Sequence, residues 1–355
     1  MSRTLLRPIT LSLSEAQPDR KPYLKSSPNL PLKLKFLESA LGFAINITRR
    51  PDGTVNRGLM SVFDSTTPPS SAKPINGVKT RDITVDESRN LWFRLYTPTE
   101  ATSRELPVIF FLHGGGFAFM QANSKMYDEF CYRLAREVPA VVVSVNYRLA
   151  PEFRYPCQRD DCFDVLRYVD TAKIEGFPRN ANLKHSFLAG DSAGANLSHH
   201  VALRANDHVF SKLELRGIMS IQPCFGGEER TETEIELPKA PFVTIELMDW
   251  IWKSFLPEGA DRNHPASNVF MVDISKVKFP PTMVVVGGFD PLQDWQIRYY
   301  NWLKKSGKDA YLLEYPDAIH LFYAYPELYQ SDLFIEEVKS GERSYQPVGA
   351  SKGVE

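Results

Sequence analysis

The chain has 355 residues, of which 43% are hydrophobic and 24% are charged, and its formal net charge at pH 7 is −1. These values are ordinary for a globular protein, and the length suits one large α/β unit. A net charge close to zero gives no electrostatic basis for binding nucleic acid or a membrane surface, so neither partner is expected.

The first predicted element is an amphipathic helix over Pro31–Ile47. Apolar residues recur there near the helical period of 3.6, among them Leu34, Leu37 and Leu41. The preceding residues 1–29 carry Pro, Ser and charge and are expected to be mobile, while residues 65–78 read as a linker. Periodicity alone leaves open which part of the core the helix packs against.

The core is predicted to begin at Arg81, with two strands near 82–85 and 91–96 that form an antiparallel start to the sheet. Short apolar runs then alternate with helix-compatible segments, which is typical of a mostly parallel sheet covered by helices on both faces. The predicted strands of this part are 108–112, 140–146, 186–189, 217–221, 282–286 and 311–314. The predicted fold class is therefore α/β, with helices over 124–136 and after Asp290 among those between the strands.

A glycine-rich loop, His113–Phe117, follows the buried strand 108–112 directly. Its consecutive residues Gly114, Gly115 and Gly116 leave the backbone N–H groups unshielded and allow close approach to a ligand. A tetrahedral acyl intermediate needs two or three such donors, so the loop is a candidate oxyanion hole. His113 is interpreted as a structural residue that fixes the loop.

The segment Gly190–Gly194 has the pattern G-x-S-x-G between a strand-like run and a helix-compatible segment. This is the context of a nucleophile elbow, in which Ser192 sits on a tight strand-to-helix turn. A side chain at either flanking glycine would collide with the neighbouring backbone. The N–H of Ala193, at a helix N-terminus, is a further candidate oxyanion donor.

An insertion of residues 224–280 interrupts the alternation of strands and helices. It is rich in aromatic residues and is expected to form part of a cap on the catalytic side. Its aromatic residues could wall an apolar acyl or alcohol pocket, or could simply pack the cap against the core. The candidate pocket residues are Phe225 and Phe242 of the insertion, together with Phe117, Phe119 and Tyr323.

Two further polar residues come at predicted strand ends, Asp290 and His320. Catalytic groups of open α/β sheets collect outside the carboxyl ends of the strands, and Ser–Asp–His is the chain order of an α/β-hydrolase triad. Asp294 and Asp317 are rival carboxylates, but Asp290 lies closer to its strand end. His320 would then act as base for the Ser192 hydroxyl, and an ionised Asp290 would stabilise the imidazolium.

As a set, these motifs resemble the plant carboxylesterase family, within the hormone-sensitive-lipase-like branch of the α/β-hydrolases. The resemblance extends over about 30–333 and is carried by the segments 113–117, 147–152, 190–196 and 288–292 and by His320. Two small departures are Ala195, where many relatives have glycine, and Phe153, where histidine is usual. Neither lies on the expected proton path.

The resemblance implies an α/β-hydrolase fold with Ser192, Asp290 and His320 as the triad. It implies an oxyanion hole from the N–H groups of Gly114 or Gly115, Gly116 and Ala193, and hydrolysis of small to medium apolar esters without a metal or organic cofactor. One domain of residues 30–345 is expected, with a lid at about 30–64, the cap at about 224–280 and a tail at 346–355.

Two alternatives stay open within this family. The gibberellin receptors resemble the chain over the same length, including Arg49–Arg57. In those receptors the triad histidine is lost, and serine replaces the third glycine of the loop. His320 and Gly116 therefore favour an esterase over a hormone-like receptor. A dehydratase or cyclase of specialised metabolism is the second alternative, although some family dehydratases carry threonine at the position of Ser192.

The cysteines point to a reducing compartment. Cys131, Cys157, Cys162 and Cys224 lack metal-ligand spacing and are read as free thiols. The chain start shows no signal-peptide pattern and no run approaches the length of a membrane span. A cytoplasmic enzyme acting on a small-molecule ester is expected, with its protein partners unspecified.

Overall fold

The structure, a computed structural model, describes residues 28, 30–50, 52–99 and 104–344. Most of the predicted mobile segment 1–29 and the whole predicted tail 346–355 lie outside the described residues. The strands are β1 (Val78–Asp86), β2 (Leu91–Pro98), β3 (Leu106–Leu112), β4 (Val141–Asn146), β5 (Ala181–Asp191), β6 (Leu215–Ile221), β7 (Thr282–Phe289) and β8 (Ala310–Ile319). The α-helices are α1 (Leu32–Thr48), α2 (Arg57–Phe63), α3 (Lys125–Glu137), α4 (Cys157–Thr171), α5 (Ala193–Asn206), α6 (Glu232–Glu236), α7 (Ile245–Phe255), α8 (Gln293–Lys305) and α9 (Tyr329–Ser344).

The eight strands form one sheet in the order β1-β2-β4-β3-β5-β6-β7-β8. β1 and β2 are antiparallel to their neighbours, and the other pairs are parallel. The α/β fold class is thus confirmed, together with the antiparallel start. The predicted helices over 31–47 and 124–136 correspond to α1 and α3 with ends displaced by about one residue.

Helices cover both faces of the sheet, which explains the apolar runs within the central strands. Every residue of β3 and of β4 is buried. On one face the strands pack against α3 and α9, and on the other against α4, α5 and α8. A strand buried on both sides gains from apolar side chains at every position, so the alternation typical of a half-exposed strand disappears.

Five neighbouring strands end at one edge of the sheet, and each is followed at once by a polar residue or glycine-rich turn. β3 leads into His113, β5 into Ser192, β6 into Gln222, β7 into Asp290 and β8 into His320. Because these strands are parallel and adjacent, their carboxyl ends converge on one region. The fold therefore gathers residues that are up to 207 positions apart in the chain.

The segment between β6 and β7 contains α6 and α7. Thr244 begins α7 by accepting a hydrogen bond from the Leu247 N–H at 3.1 Å, which satisfies one donor of the first turn. The apolar face of α7 is directed at the loop after β3, where Ile251, Trp252 and Phe255 are buried. Among the described residues, no helix is long and apolar enough to cross a lipid bilayer.

Candidate active site

Ser192 stands in the turn between β5 and α5 with φ 51° and ψ −116°, a conformation that costs a non-glycine residue of order 1–3 kcal/mol. The neighbouring strand explains both glycines. A Cβ on Gly194 would lie 1.8 Å from the Leu112 carbonyl oxygen, and one on Gly190 would lie 2.4 Å from the Gly194 oxygen. The predicted collision is confirmed, and the tight turn holds Ser192 at the sheet edge.

Asp290 and His320 form a direct pair. The Nδ1 atom of His320 lies 2.7 Å from Oδ2 of Asp290, and both side chains are buried. Burial disfavours the imidazolium, but the charge and hydrogen bond of Asp290 outweigh it, so the pKa of His320 is raised above its usual value. A histidine oriented by a carboxylate through Nδ1 leaves Nε2 available for proton transfer.

The rival carboxylates have other surroundings. Asp294 accepts a hydrogen bond from the Thr233 N–H at 3.0 Å and so binds the start of α6. Asp317 is exposed to solvent. Of the three candidates considered from the sequence, Asp290 is the one whose carboxylate contacts His320.

The carboxylate of Asp290 accepts hydrogen bonds from residues that the sequence motifs do not predict as site residues. Gln222 donates to Oδ2 at 3.0 Å and Gln296 donates to the same atom at 2.8 Å. The Leu292 N–H donates to Oδ1 at 3.0 Å. Gln222 follows β6 directly, and a polar residue at a strand end is a sequence signal for a site residue. Gln296 lies within α8, where its position gives no such signal.

The glycine-rich loop turns sharply after β3. Gly115 and Gly116 have φ values of 84° and 60°, which glycine adopts at low cost. No described residue accepts a hydrogen bond from either N–H group. Ala193 opens α5, where the first N–H groups have no partner within the helix. These three donors are the strongest candidates for an oxyanion hole.

Gly114 faces a different group. A Cβ at this position would lie 2.3 Å from Oδ2 of Asp191 and 2.7 Å from the Tyr127 hydroxyl, so only glycine fits. Its backbone supports the Asp191 carboxyl, which makes Gly114 the weakest of the predicted oxyanion donors. Its neighbour His113 is buried and stacks on Tyr147 at 4.2 Å between ring centroids, in agreement with a structural role.

The carboxyl group of Asp191 is enclosed beside Ser192. The Tyr127 hydroxyl donates to its Oδ2 at 3.0 Å, while Oδ1 has no partner among the described residues. Burial raises the pKa of Asp191 to about 6, and Tyr323, His320 and Tyr127 offset only part of this effect. Asp191 in turn contributes to the raised pKa of His320.

The five predicted pocket aromatics are packed against other side chains. Phe117 stacks on Phe255 at 3.6 Å between centroids, and Phe119 stacks on Trp250 at 5.6 Å. The remaining three contacts are Phe225 with Tyr299, Phe242 with Tyr325, and Tyr323 with Phe130. Phe117 and Phe119 thus join the glycine-rich loop to α7, and the substrate contacts of all five stay a prediction.

Fold and site together define a protein of the α/β-hydrolase class. A family model described as an alpha/beta hydrolase fold matches residues 109–324, and one described as a carboxylesterase family matches residues 60–152. An esterase from Pyrobaculum calidifontis, 26% identical, superimposes with a TM-score of 0.69 over 89% of this chain and 99% of its own.

Within that class the chain belongs to the family of plant carboxylesterases and gibberellin receptors. It is 43% identical to the gibberellin receptor GID1C of Arabidopsis thaliana, over 85% of this chain and 91% of that protein. It is also 36% identical to carboxylesterase 20 of Arabidopsis thaliana, over 75% of this chain and 85% of that protein. The family expected from the motifs is therefore confirmed.

Proposed function

We propose that this protein is a serine carboxylesterase that hydrolyses small to medium apolar esters through an acyl-enzyme. The observation that carries the proposal is the pairing of His320 with Asp290 at 2.7 Å, at the sheet edge that also holds Ser192. An oriented base and a strained serine at one sheet edge are the groups that nucleophilic acyl transfer requires. The family and the esterase-like fold support the same conclusion.

In the proposed acylation step, Ser192 Oγ attacks the ester carbonyl carbon while His320 Nε2 takes the hydroxyl proton. The oxyanion accepts hydrogen bonds from Gly115, Gly116 and Ala193. His320 then protonates the leaving alkoxide. In deacylation a water molecule gives its proton to His320 and attacks the acyl carbon, which releases the acid and returns the proton to Ser192.

The proposed substrate class follows from the surroundings of the loop. Phe117, Trp252 and Phe255 are buried and pack against one another where the glycine-rich loop meets α7. Such walls favour apolar acyl or alcohol groups over charged ones.

In this proposal the segment at about 30–64 forms a lid and the segment at about 224–280 forms a cap. The enzyme acts in the cytoplasm, and the four free cysteines support this location.

The decisive experiment is treatment with an organophosphonate, followed by peptide mass spectrometry. We expect one adduct on Ser192 and none in the Ser192→Ala variant, while Ser198→Ala, which changes a buried serine in α5, should be labelled normally. His320→Ala should lower kcat for a nitrophenyl ester by roughly 10³-fold or more. An unlabelled wild-type protein, or full activity without His320, would contradict the proposal.

A gibberellin-type receptor is the second candidate, because the gibberellin receptor GID1C is similar over most of both chains. The covered site is compatible with a retained ligand, since the exposed fractions of Ser192 and His320 are 8% and 2%. Calorimetric titration with a gibberellin separates the two functions. A receptor binds the ligand tightly and leaves Ser192 unlabelled by the phosphonate, whereas an esterase is labelled and turns over esters.

A further inference from the structure

Gln222 occupies an unusual position at the end of β6. Its φ of 45° lies in the left-handed region, which is uncommon for a residue other than glycine. Its N–H still donates to the Val285 oxygen at 3.0 Å, so the residue remains tied to β7. The side chain is buried, with an exposed fraction of 1%. This backbone turns the amide across the ends of β7 and β8.

The amide of Gln222 uses its donors and its acceptor at once. Nε2 donates to Oδ2 of Asp290 at 3.0 Å and to the Ile319 oxygen at 3.1 Å, and Oε1 accepts from the Leu321 N–H at 2.9 Å. The reverse orientation would set an oxygen against two acceptors and an NH₂ group against a donor, so the amide has a single favourable orientation.

The contacts of Gln222 enclose His320. Ile319 and Leu321 are its two neighbours in the chain, and Asp290 is the partner of its imidazole. Leu321 has φ 67°, so the backbone turns directly after the histidine and needs support there. The residue before Gln222, Ile221, accepts the Ser192 N–H at 2.9 Å. Two adjacent residues therefore contact all three triad segments.

We propose that Gln222 is the residue that positions the catalytic imidazole, a role that rests on the proposed esterase function. It fixes the carboxylate that orients His320 and the peptide groups on either side of it. The side chain does not touch the substrate. It acts by keeping Nε2 of His320 aligned with Ser192, and small misplacements of catalytic groups cost up to about 10² in rate.

Two substitutions test this role. Gln222→Met keeps the length of the side chain but removes its hydrogen bonds. Gln222→Glu keeps the shape and the acceptor for the Leu321 N–H but loses the NH₂ donor. The matched control is Gln158→Met, because Gln158 is another buried glutamine, whose amide donates to the Phe153 oxygen in the turn before α4. Thermal unfolding verifies that each variant is folded.

We expect both Gln222 variants to lower kcat for a nitrophenyl ester by roughly 10- to 100-fold with KM within about threefold of wild type. In Gln222→Glu the negative charge beside the Asp290–His320 pair should move the rising limb of the pH profile to higher pH. Unchanged kcat in both variants would overturn the proposal, as would an equal loss in Gln158→Met.

A second readout does not need turnover. The proton on His320 Nδ1 should give a far-downfield NMR resonance at a pH below the histidine pKa, assigned by its loss in His320→Ala. Gln222→Met should shift or broaden this resonance, and an unchanged resonance would overturn the positioning role. A wild-type protein with the resonance but without ester cleavage would reject the esterase function alone, so the two failures are distinguishable.

Discussion

Asp191 is a carboxyl group buried directly beside the proposed nucleophile, and its ionisation should affect stability. Its pKa in the folded protein is raised by burial to about 6 from the ordinary 3.8. The unfolded chain therefore releases its proton at lower pH than the folded protein does. Stability contributed by the protonated carboxyl is lost as pH rises from about 4 to about 6, by on the order of 3 kcal/mol in total.

Asp191→Asn should abolish this dependence. The amide remains neutral, so the free energy of unfolding of the variant relative to wild type should rise by on the order of 3 kcal/mol between pH 4 and pH 7. Urea unfolding at several pH values measures the difference, which cancels the titration of groups that do not interact with Asp191. A difference that stays constant with pH would show that Asp191 titrates normally.

At the scale of elements, the glycine-rich loop and α7 meet without space for a side chain. A Cβ on Gly116 would lie 2.4 Å from Cδ1 of Ile251, and Gly116 has φ 60°. The loop thus depends on both its conformation and its contact with the insertion. Serine, which the resemblance places here in the gibberellin receptors, would have to displace the Ile251 side chain.

Gly116→Ser should therefore lower kcat by roughly 10²-fold, comparable to the loss of one oxyanion donor. It should also cost about 1–2 kcal/mol of stability because of the positive φ. Adding Ile251→Ala should restore part of kcat, since it creates room for the new side chain. Steady-state kinetics of both single variants and the double variant form the test, and additive losses would contradict the steric explanation.

The elements and the pairing of Asp290 with His320 could be predicted from the sequence because both obey local rules. The glycines around Ser192 are demanded by the turn itself, and Asp290 and His320 come directly after the strands β7 and β8. The hydrogen bonds that hold Asp290 and His320 in place follow no such local rule. Gln222, Ile319 and Leu321 meet only after β6 and β8 have been placed in the sheet.

The packing partners of the aromatic residues could not be predicted from the sequence either. The partner of Phe225 is Tyr299 of α8, and that of Phe242 is Tyr325 after β8. These pairs depend on the path of the 224–280 insertion over the sheet, which periodicity does not determine. The sequence therefore does not distinguish an aromatic residue that packs the insertion from one that lines a pocket. The polar residues at strand ends are the ones that predict the site chemistry.

For the molecule as a whole, one arginine connects the N-terminal segment to the site. The Arg57 guanidinium, at the start of α2, donates to the carbonyl oxygens of Ala118 and Ala150 and pairs with Glu152. Ala118 belongs to the loop that carries the proposed oxyanion donors. Ser192 and His320 are nearly inaccessible to solvent, so we propose that the predicted lid at about 30–64 opens to admit a substrate.

Arg57→Met should make that opening more frequent. Each lost hydrogen bond is worth about 1 kcal/mol, so amide hydrogen exchange over residues 32–63 should be faster by roughly fivefold or more. Labelling of Ser192 by a phosphonate should be faster in the same variant. The reagent would reach Ser192 more often, while the reactivity of the hydroxyl would be unchanged. The control is Arg81→Met, which removes an exposed pair with Glu175 that lies outside the lid. Exchange that is unchanged over 32–63, or equally fast in the control, would mean that the segment is held by the burial of Ile45, Val55 and Met60 in the hydrophobic core rather than by Arg57.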